Sequence, residues 1–275
     1  MVTGKITPLL KQFLSIKNQY KDCLIFFRLG DFYELFFEDA ELSSKVLGIT
    51  LTKRGQVEGK DIPMCGVPHH QGESYLSKLL KAGHKVAICE QTETPEESKK
   101  RGYNSIIERK VVRVATPGTL TEESELGDSN NNFLMALTAS KKSYGVSWVD
   151  ISTGEFSCKD CKNFNQLLEV YLNVTPSEVL IINQYFDESY LKEIPKGTPL
   201  TFYNPDNLKK IDFSVFKEKQ KLRQKKFEKS ELLSMSIVLS YILFTQNGKL
   251  PHLSPPKQIK DKSFLEIDNA SKRNL

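Results

Sequence analysis

The spacing of apolar and polar positions predicts alternating helices and strands in the first 115 residues. Apolar side chains recur at helical intervals in three segments, and short apolar or alternating runs occur between them. The predicted helices are 8–20, a helix capped by Asp31 and ended by Gly48, and 74–83; the predicted strands are 23–29, 49–54, 85–91 and 106–115. The polar segment 92–104 predicts a loop. This order indicates a mixed α/β module.

A second pattern follows the turn-rich, acidic segment 117–132. Three β-rich runs with short turns between them predict an antiparallel meander, and helix and strand patterns then alternate. The predicted elements are strands in 133–140, 144–153, 155–160, 178–183 and 199–204, and helices at 164–173, near 187–194 and at 232–244. This order is typical of a ribonuclease H-like α/β layer. We therefore predict an α/β chain with domains at 1–116 and 125–245, and the beginning of a further segment at 246–275.

Composition narrows the class of protein. Hydrophobic residues make up 39% of the chain and charged residues 27%, which is typical of globular proteins. The longest apolar run falls far short of the roughly 18 residues that a membrane span needs, and the first residues lack the pattern of a secretory signal. The five cysteines are few and odd in number, which favours a reducing compartment. We expect a cytoplasmic protein without a membrane partner.

The net charge of +5 is unevenly distributed along the chain. Residues 1–115 carry a net charge of +4, residues 116–204 carry −6 and residues 205–275 carry +7. A mildly basic module followed by an acidic one indicates two modules with different partners. Nucleic acid is a candidate partner for the first module, and the alternative is that its lysines serve solubility.

Candidate catalytic and metal-binding patterns are weak. The segment from Gly55 to Lys60 has three residues between its glycines, where a phosphate-binding loop has four, and it predicts a solvated hairpin. Two cysteine groups have partial metal-ligand character: Cys158 with Cys161, and Cys65 and Cys89 with His69 and His70. Buried cysteines and turn histidines are the alternative.

Asp150 lies on the second strand of the predicted meander, where nucleases of the ribonuclease H-like fold hold a metal. Two-metal hydrolysis needs several carboxylates that converge, and Glu155 and Asp160 do not complete a convincing set. A turn-forming role for Asp150 is therefore favoured. A metal-dependent nuclease remains the alternative enzymatic hypothesis.

The segment Gly30-Asp31-Phe32-Tyr33-Glu34 is the most informative in the chain. It places an aromatic side chain and a carboxylate where a buried strand ends at a glycine. Phe32 could pack locally as a hydrophobic staple, or act as an apolar wedge that enters the minor groove of DNA. For the second alternative, the candidate phosphate-binding residues are Lys53, Arg54, Arg109, Lys110 and Arg113, which we expect to cluster at the ends of two strands.

Five collinear motifs resemble the N-terminal part of the MutS family of DNA mismatch-recognition ATPases. These motifs are LGDFYELFFEDA (29–40), ITLTKRG (49–55), IPMCGVPHH (62–70), YLSKLLKAGHKVAICEQ (75–91) and ERKVVRVATPGT (108–119). The similarity continues through WVDISTGEF (148–156) and reaches LPHLSPP (250–256) and DNASKRNL (268–275). It therefore covers essentially the whole chain.

The resemblance implies a fold and a function. The fold would be a mixed-sheet mismatch-binding domain followed by a ribonuclease H-like connector domain. Phe32 would stack on a mispaired or unpaired base, and Glu34 would hydrogen-bond that base. The partners would be mismatched double-stranded DNA, MutL through the connector, and a second MutS subunit in the full-length protein.

The resemblance also implies segments that these 275 residues do not contain. Full-length members carry lever helices, a DNA clamp and an ATPase domain that uses ATP and Mg²⁺, whereas no GxxxxGK[ST] motif occurs here. We therefore expect no enzymatic activity and no cofactor in this part. A MutS relative that serves recombination is a third hypothesis, and the Phe32 and Glu34 pair counts against it.

Overall fold

The computed structural model divides the chain into two compact units. It describes residues 7–102, 105–120, 131–140, 143–182, 188–195, 197–204 and 226–260. The first unit runs to Asn132 and includes 197–199 and 241–250, and the second unit comprises the remainder. Both units are mixed α/β, as the sequence predicts. Within the described residues, no helix is both long and apolar enough to cross a membrane.

The first unit is built on one six-stranded mixed sheet. Its elements are α1 (Pro8–Gln19), β1 (Cys23–Leu29), β2 (Phe32–Phe36), α2 (Phe37–Leu47), β3 (Thr52–Val57), β4 (Lys60–Pro68), a 3-10 turn (His69–Gln71), α3 (Gly72–Lys81), β5 (Lys85–Gln91), α4 (Pro95–Arg101) and β6 (Arg109–Ala115). The strand order is β3-β4-β2-β1-β5-β6. Only β1 and β5 run parallel among these neighbours, and the other pairs are antiparallel.

Helices cover both faces of this sheet. On one face, the apolar side of α1, with Phe13 at its centre, packs on β1, β2 and β5. On the other face, α2 and α3 pack on a second core that contains Tyr33 and Leu35. Because successive strand residues point to opposite faces, every strand except the exposed edge strand β3 contributes to both cores. We call the two surfaces the α1 face and the α3 face.

The predicted helix after Asp31 is wrong in its first turn. Residues 32–36 form β2 and pair with β1 and β4, and α2 begins at Phe37. The residue before α2 is Phe36, so Asp31 does not cap the helix. The alternation of this segment decides its structure, because Leu35 enters one core and Phe36 the other. The predicted end is confirmed: Gly48 adopts a left-handed conformation with φ of 66°.

Two other local predictions in this unit also need correction. The predicted loop 92–104 contains α4, whose Thr94 and Glu97 form a reciprocal capping box. The predicted strand 49–54 is displaced, since β3 runs from Thr52 to Val57. The next strand, β4, has no counterpart in the prediction. The predicted hairpin at Gly55–Lys60 is confirmed as the β3–β4 turn.

The second unit has a six-stranded sheet of order β11-β10-β7-β8-β9-β12. Its elements are β7 (Phe133–Ala139), β8 (Tyr144–Asp150), β9 (Phe156–Cys161), α5 (Phe164–Val174), β10 (Glu178–Ile181), α6 (Glu188–Glu193), β11 (Leu200–Phe202), α7 (Lys229–Thr245, of which residues from 241 onward belong to the first unit) and β12 (Lys257–Gln258). The predicted meander β7-β8-β9 is confirmed as antiparallel, and β10 and β11 add in parallel. This is the predicted ribonuclease H-like order.

Close packing inside the second unit requires a glycine on β8. A Cβ atom at Gly145 would lie 2.0 Å from the carbonyl oxygen of Ser230 and 2.6 Å from the hydroxyl of Thr138. The start of α7 therefore approaches the backbone of β8 more closely than any side chain would allow. On the opposite side of the sheet, α5 contributes Leu167 and Val170 to the core.

The last described residues lie on the second sheet. β12 pairs in parallel with β9, and the Ile259 N–H donates to the Cys158 carbonyl over 2.8 Å. Of the segment predicted to begin a third domain at 246, residues 251–260 thus belong to the second unit. The DNASKRNL motif (268–275) and most of the basic stretch 217–229 lie outside the described residues.

Candidate nucleic-acid interface

Phe32 lies at an exposed hairpin corner of the first unit. The β1–β2 connection has two residues, and Gly30 adopts φ of 57°, which glycine tolerates without strain. The Asp31 carbonyl accepts a hydrogen bond of 2.8 Å from the His69 N–H, which fastens the turn. Phe32 is the first residue of β2, and 47% of it is exposed. Its position does not support the hydrophobic-staple alternative, because it lies on a strand and not before a helix.

Glu34 lies two residues further along β2, on the same α1 face as Phe32. Its carboxylate is 15% exposed and forms an ion pair with Arg54. The Nη1 atom of Arg54 is 2.7 Å from Oε1 and 2.5 Å from Oε2 of Glu34. Arg54 belongs to β3, so this ion pair extends across β4.

A glycine on β4 leaves the space beside these side chains open. Gly66 is the cross-strand partner of Glu34. A Cβ atom at Gly66 would lie 3.7 Å from Cγ of Glu34 and 4.0 Å from Cδ1 of Phe32. A Cβ atom here would therefore make ordinary van der Waals contact with both side chains. The motif that contains Gly66 gave no indication of this position, although an isolated glycine within a strand pattern is a signal of close approach by another group.

Arg109, one of the predicted phosphate-binding residues, is buried. It is 6% exposed, and its guanidinium lies 5.0 Å from the centre of the Phe27 ring. It donates hydrogen bonds to the carbonyls of Arg28 at 2.6 Å and Ile107 at 2.7 Å, and to Oε1 of Gln12 at 3.2 Å. Burial lowers its pKa, which the nearby Cys89 and Glu34 partly oppose. This position does not support a contact with phosphate.

The other predicted basic residues do not form one cluster. β3 and β6 are the two edge strands, five strand spacings apart, or about 24 Å. Lys110 and Arg113 on β6 are cross-strand partners of Glu90 and Ile88, which places both on the α3 face, opposite Phe32. Each of these cations is paired locally: Lys53 with Asp61 at 2.8 Å, Lys110 with Glu108 at 3.4 Å, and Arg113 with Glu73 at 3.0 Å. Only Arg54 is placed beside Glu34.

The α3 face at the same end of the sheet carries a polar cluster around Tyr33. The Tyr33 hydroxyl donates a hydrogen bond to Glu90, and its ring lies 5.2 Å from the Phe26 ring and 5.2 Å from the His69 ring. Burial, together with the Glu90 hydrogen bond, raises the pKa of Tyr33. A Cβ atom at Gly72 would lie 2.7 Å from this ring. Tyr33 therefore holds β2 in place from the α3 face, whereas its neighbours Phe32 and Glu34 lie on the α1 face.

The metal-site hypotheses find no support in the geometry. Cys65 lies in the α3-face core, whereas Cys89 lies in the α1-face core, so the two do not converge. Burial raises the pKa of Cys65 to about 11 and that of Cys89 to about 12, which favours the protonated thiols. Across the parts of the chain that the structure describes, no group of three or more His, Cys, Asp or Glu side chains could hold a metal ion.

Asp150 has the turn-forming role that the sequence favours. Its Oδ1 accepts hydrogen bonds from the Ser152 N–H at 2.8 Å and the Ser152 hydroxyl at 2.6 Å. Such bonds fix the β8–β9 turn. This geometry does not support the nuclease hypothesis.

Comparison with known proteins defines the class of each unit. The family model "MutS domain I" matches residues 7–124, and "MutS domain II" matches residues 132–254. The first unit is thus of the mismatch-binding domain type, and the second of the connector type. The predicted boundaries at 116 and 125 stay predictions.

The relatives agree with these matches. The DNA mismatch repair protein MutS of Wolbachia pipientis wMel is 42% identical over 100% of this chain, which covers 33% of that protein. The proteins of the same name from Anaplasma phagocytophilum (strain HZ) and Ruegeria pomeroyi are 40% and 41% identical over 98% of the chain, covering 33% and 31% of those proteins. The chain belongs to the MutS family. It spans about a third of the length of these curated relatives.

Proposed function

We propose that the first unit recognises mispaired or unpaired bases in duplex DNA and so serves the initiation of mismatch repair. The observation that carries this proposal is the juxtaposition of Phe32 and Glu34 on one face of β2. Phe32 is 47% exposed at the β1–β2 corner, and this exposure supports the proposal that its ring enters a groove of the duplex. The names of the relatives support mismatched DNA as the partner.

A wedge of this kind detects deformability rather than base identity. Inserting an apolar ring between base pairs costs a few kcal/mol of stacking and pairing energy. A mismatched base has already lost part of that energy, so the same ring enters more readily at a mismatch. Phe32 would stack on the displaced base, and Glu34 would accept a hydrogen bond from it.

The basic residues that were candidates for phosphate contacts lie on different faces of the sheet. On β3, Arg54 lies on the α1 face beside Glu34, whereas Lys53 lies with its cross-strand partner Pro63 on the α3 face, where it would meet phosphate at the β3 edge. Lys110 and Arg113 lie on the α3 face. They would contact phosphates only if the DNA duplex extends past the edge strand β6. Arg109 is left out of the proposed DNA-contacting set because its guanidinium is buried.

The roles of the complete protein remain proposals. The connector would contact MutL, a second MutS subunit would complete the DNA clamp, and an ATPase domain would use ATP and Mg²⁺ in the cytoplasm. The segment Gly55–Lys60 does not fit the phosphates of ATP, because it comprises the end of β3, a two-residue turn and the start of β4, with three residues between its glycines. We therefore assign no enzymatic step to this chain.

The test of the proposed function is a fluorescence-anisotropy titration of two labelled duplexes that differ by one unpaired thymine. It is made on the 275-residue chain and on the complete product of its gene. We expect tighter binding to the duplex with the unpaired base. Equal affinity for both duplexes in the complete gene product would contradict the proposal.

Glu34→Ala is expected to raise the affinity for matched DNA several-fold at low salt. A carboxylate near phosphates is repelled, and a matched A·T pair offers it no hydrogen-bond donor in the minor groove. The gain should shrink as salt screens the repulsion, which the same titration measures between 50 and 200 mM salt. Glu38→Ala, which removes an exposed carboxylate at the start of α2, is the matched control. An equal gain in the control would show a general charge effect instead.

A further inference from the structure

The ion pair between Arg54 and Glu34 lies beside an irregularity in β3. The register passes from Lys53–Pro63 to Gln56–Asp61, so Arg54 and Gly55 together oppose the single residue Ile62. Gly55 has φ of 72° at this bulge. A β-bulge bends its strand and redirects the side chains beside it. Arg54 lies at this bulge and reaches over β4 to the carboxylate of Glu34.

The pair changes the charge that the α1 face presents to DNA. Glu34 without a partner would place a negative charge beside Phe32, where phosphates approach. Arg54 neutralises this charge with two short charge-assisted contacts to the two oxygens. It also restricts the directions in which the carboxylate can point, because both oxygens are engaged by one nitrogen. The open space at Gly66 leaves room for this arrangement.

We propose that Arg54 is a positioning residue for mismatch recognition, acting through Glu34. This inference rests on the proposed function. Arg54 holds the Glu34 carboxylate in one orientation beside Phe32, so a displaced base meets an acceptor that is already placed. Pre-arranged groups bind with a smaller ordering cost than mobile ones. Mismatch preference therefore depends on the pair and not on Glu34 by itself.

A direct contact between Arg54 and phosphate is the competing role, and the two roles predict different couplings. If Arg54 binds phosphate, it strengthens binding to matched and mismatched duplexes alike, whatever residue occupies position 34. A positioning residue would change the ratio of the two affinities, and only while the carboxylate of Glu34 is present. A double-mutant cycle separates these outcomes.

The experiment measures both duplex affinities for the wild type, Arg54→Ala, Glu34→Gln and the double variant. We expect Arg54→Ala to reduce the mismatch preference about tenfold in the wild-type background and to leave it unchanged in the Glu34→Gln background. Arg54→Lys retains the charge without the planar guanidinium, and we expect an intermediate preference. Lys53→Ala is the matched control, because Lys53 pairs with Asp61 and not with Glu34. This substitution should weaken binding to both duplexes equally.

Two results would overturn the proposal. One is an unchanged mismatch preference in Arg54→Ala, and the other is an equal loss in the wild-type and Glu34→Gln backgrounds, which assigns Arg54 to phosphate. Thermal unfolding of each variant identifies any loss of folding, in which case Arg54→Lys and Arg54→Gln decide the question. A wild type without mismatch preference would instead contradict the proposed function, so the two failures are distinguishable.

Discussion

Phe32→Ala is expected to reduce the preference for mismatched over matched DNA by about 10- to 100-fold, which corresponds to the loss of one base–aromatic stacking contact. Affinity for matched DNA should change far less, because a correct pair resists insertion of the ring. The ring is 47% exposed, so its removal should leave the free energy of unfolding almost unchanged. Anisotropy titrations with both duplexes and a thermal unfolding curve measure these quantities.

The control for this variant is Phe202→Ala. Phe202 is 53% exposed on the edge strand β11 of the second unit, so it matches Phe32 in residue type and exposure. Its removal should leave the mismatch preference intact. Equal losses of affinity on both duplexes for Phe32→Ala would contradict the wedge, since they would indicate a contact indifferent to base pairing.

The predictability of the fold depends on whether local pattern and tertiary pairing agree. Strands 23–29 and 85–91 are predicted correctly because continuous apolar runs suit strands buried on both faces. The pattern after Asp31 predicts a helix, because Leu35, Phe36 and Ala40 also fit a helical repeat. Pairing on both sides, to β1 and β4, decides in favour of a strand. Such pairing is not visible in a short segment.

The predictability of the candidate site has the same limit. Phe32 and Glu34 could be selected from the sequence because an aromatic residue and an acid beside a glycine turn are unusual together. The partner of Glu34 could not be selected, since Arg54 is 20 residues away in the sequence and reaches Glu34 across the intervening strand β4. Arg109 differs from its neighbour Lys110 in burial and not in charge, so charge patterning placed both in one group.

Arg109→Ala should lower the free energy of unfolding of the first unit by about 3 kcal/mol, because hydrogen bonds to a buried charged group are lost and their acceptors stay buried. The carbonyls of Arg28 and Ile107 would each lose a donor, and the Phe27 ring would lose the guanidinium above it. These contacts join the beginning of β6 to the end of β1. Urea denaturation followed by circular dichroism measures the change.

Lys110→Ala is the natural control, because it removes a neighbouring cation whose side chain is 64% exposed. Its effect on unfolding should stay within about 0.5 kcal/mol. Arg109→Lys should recover only part of the stability, since an ammonium cannot reproduce the planar set of donors. If Arg109→Ala unfolds like the wild type but loses affinity for both duplexes, Arg109 contacts phosphate after all. If Arg109→Ala unfolds at a lower urea concentration than the wild type and Arg109→Lys binds DNA normally, Arg109 stabilises the sheet that holds Phe32 and Glu34 in place.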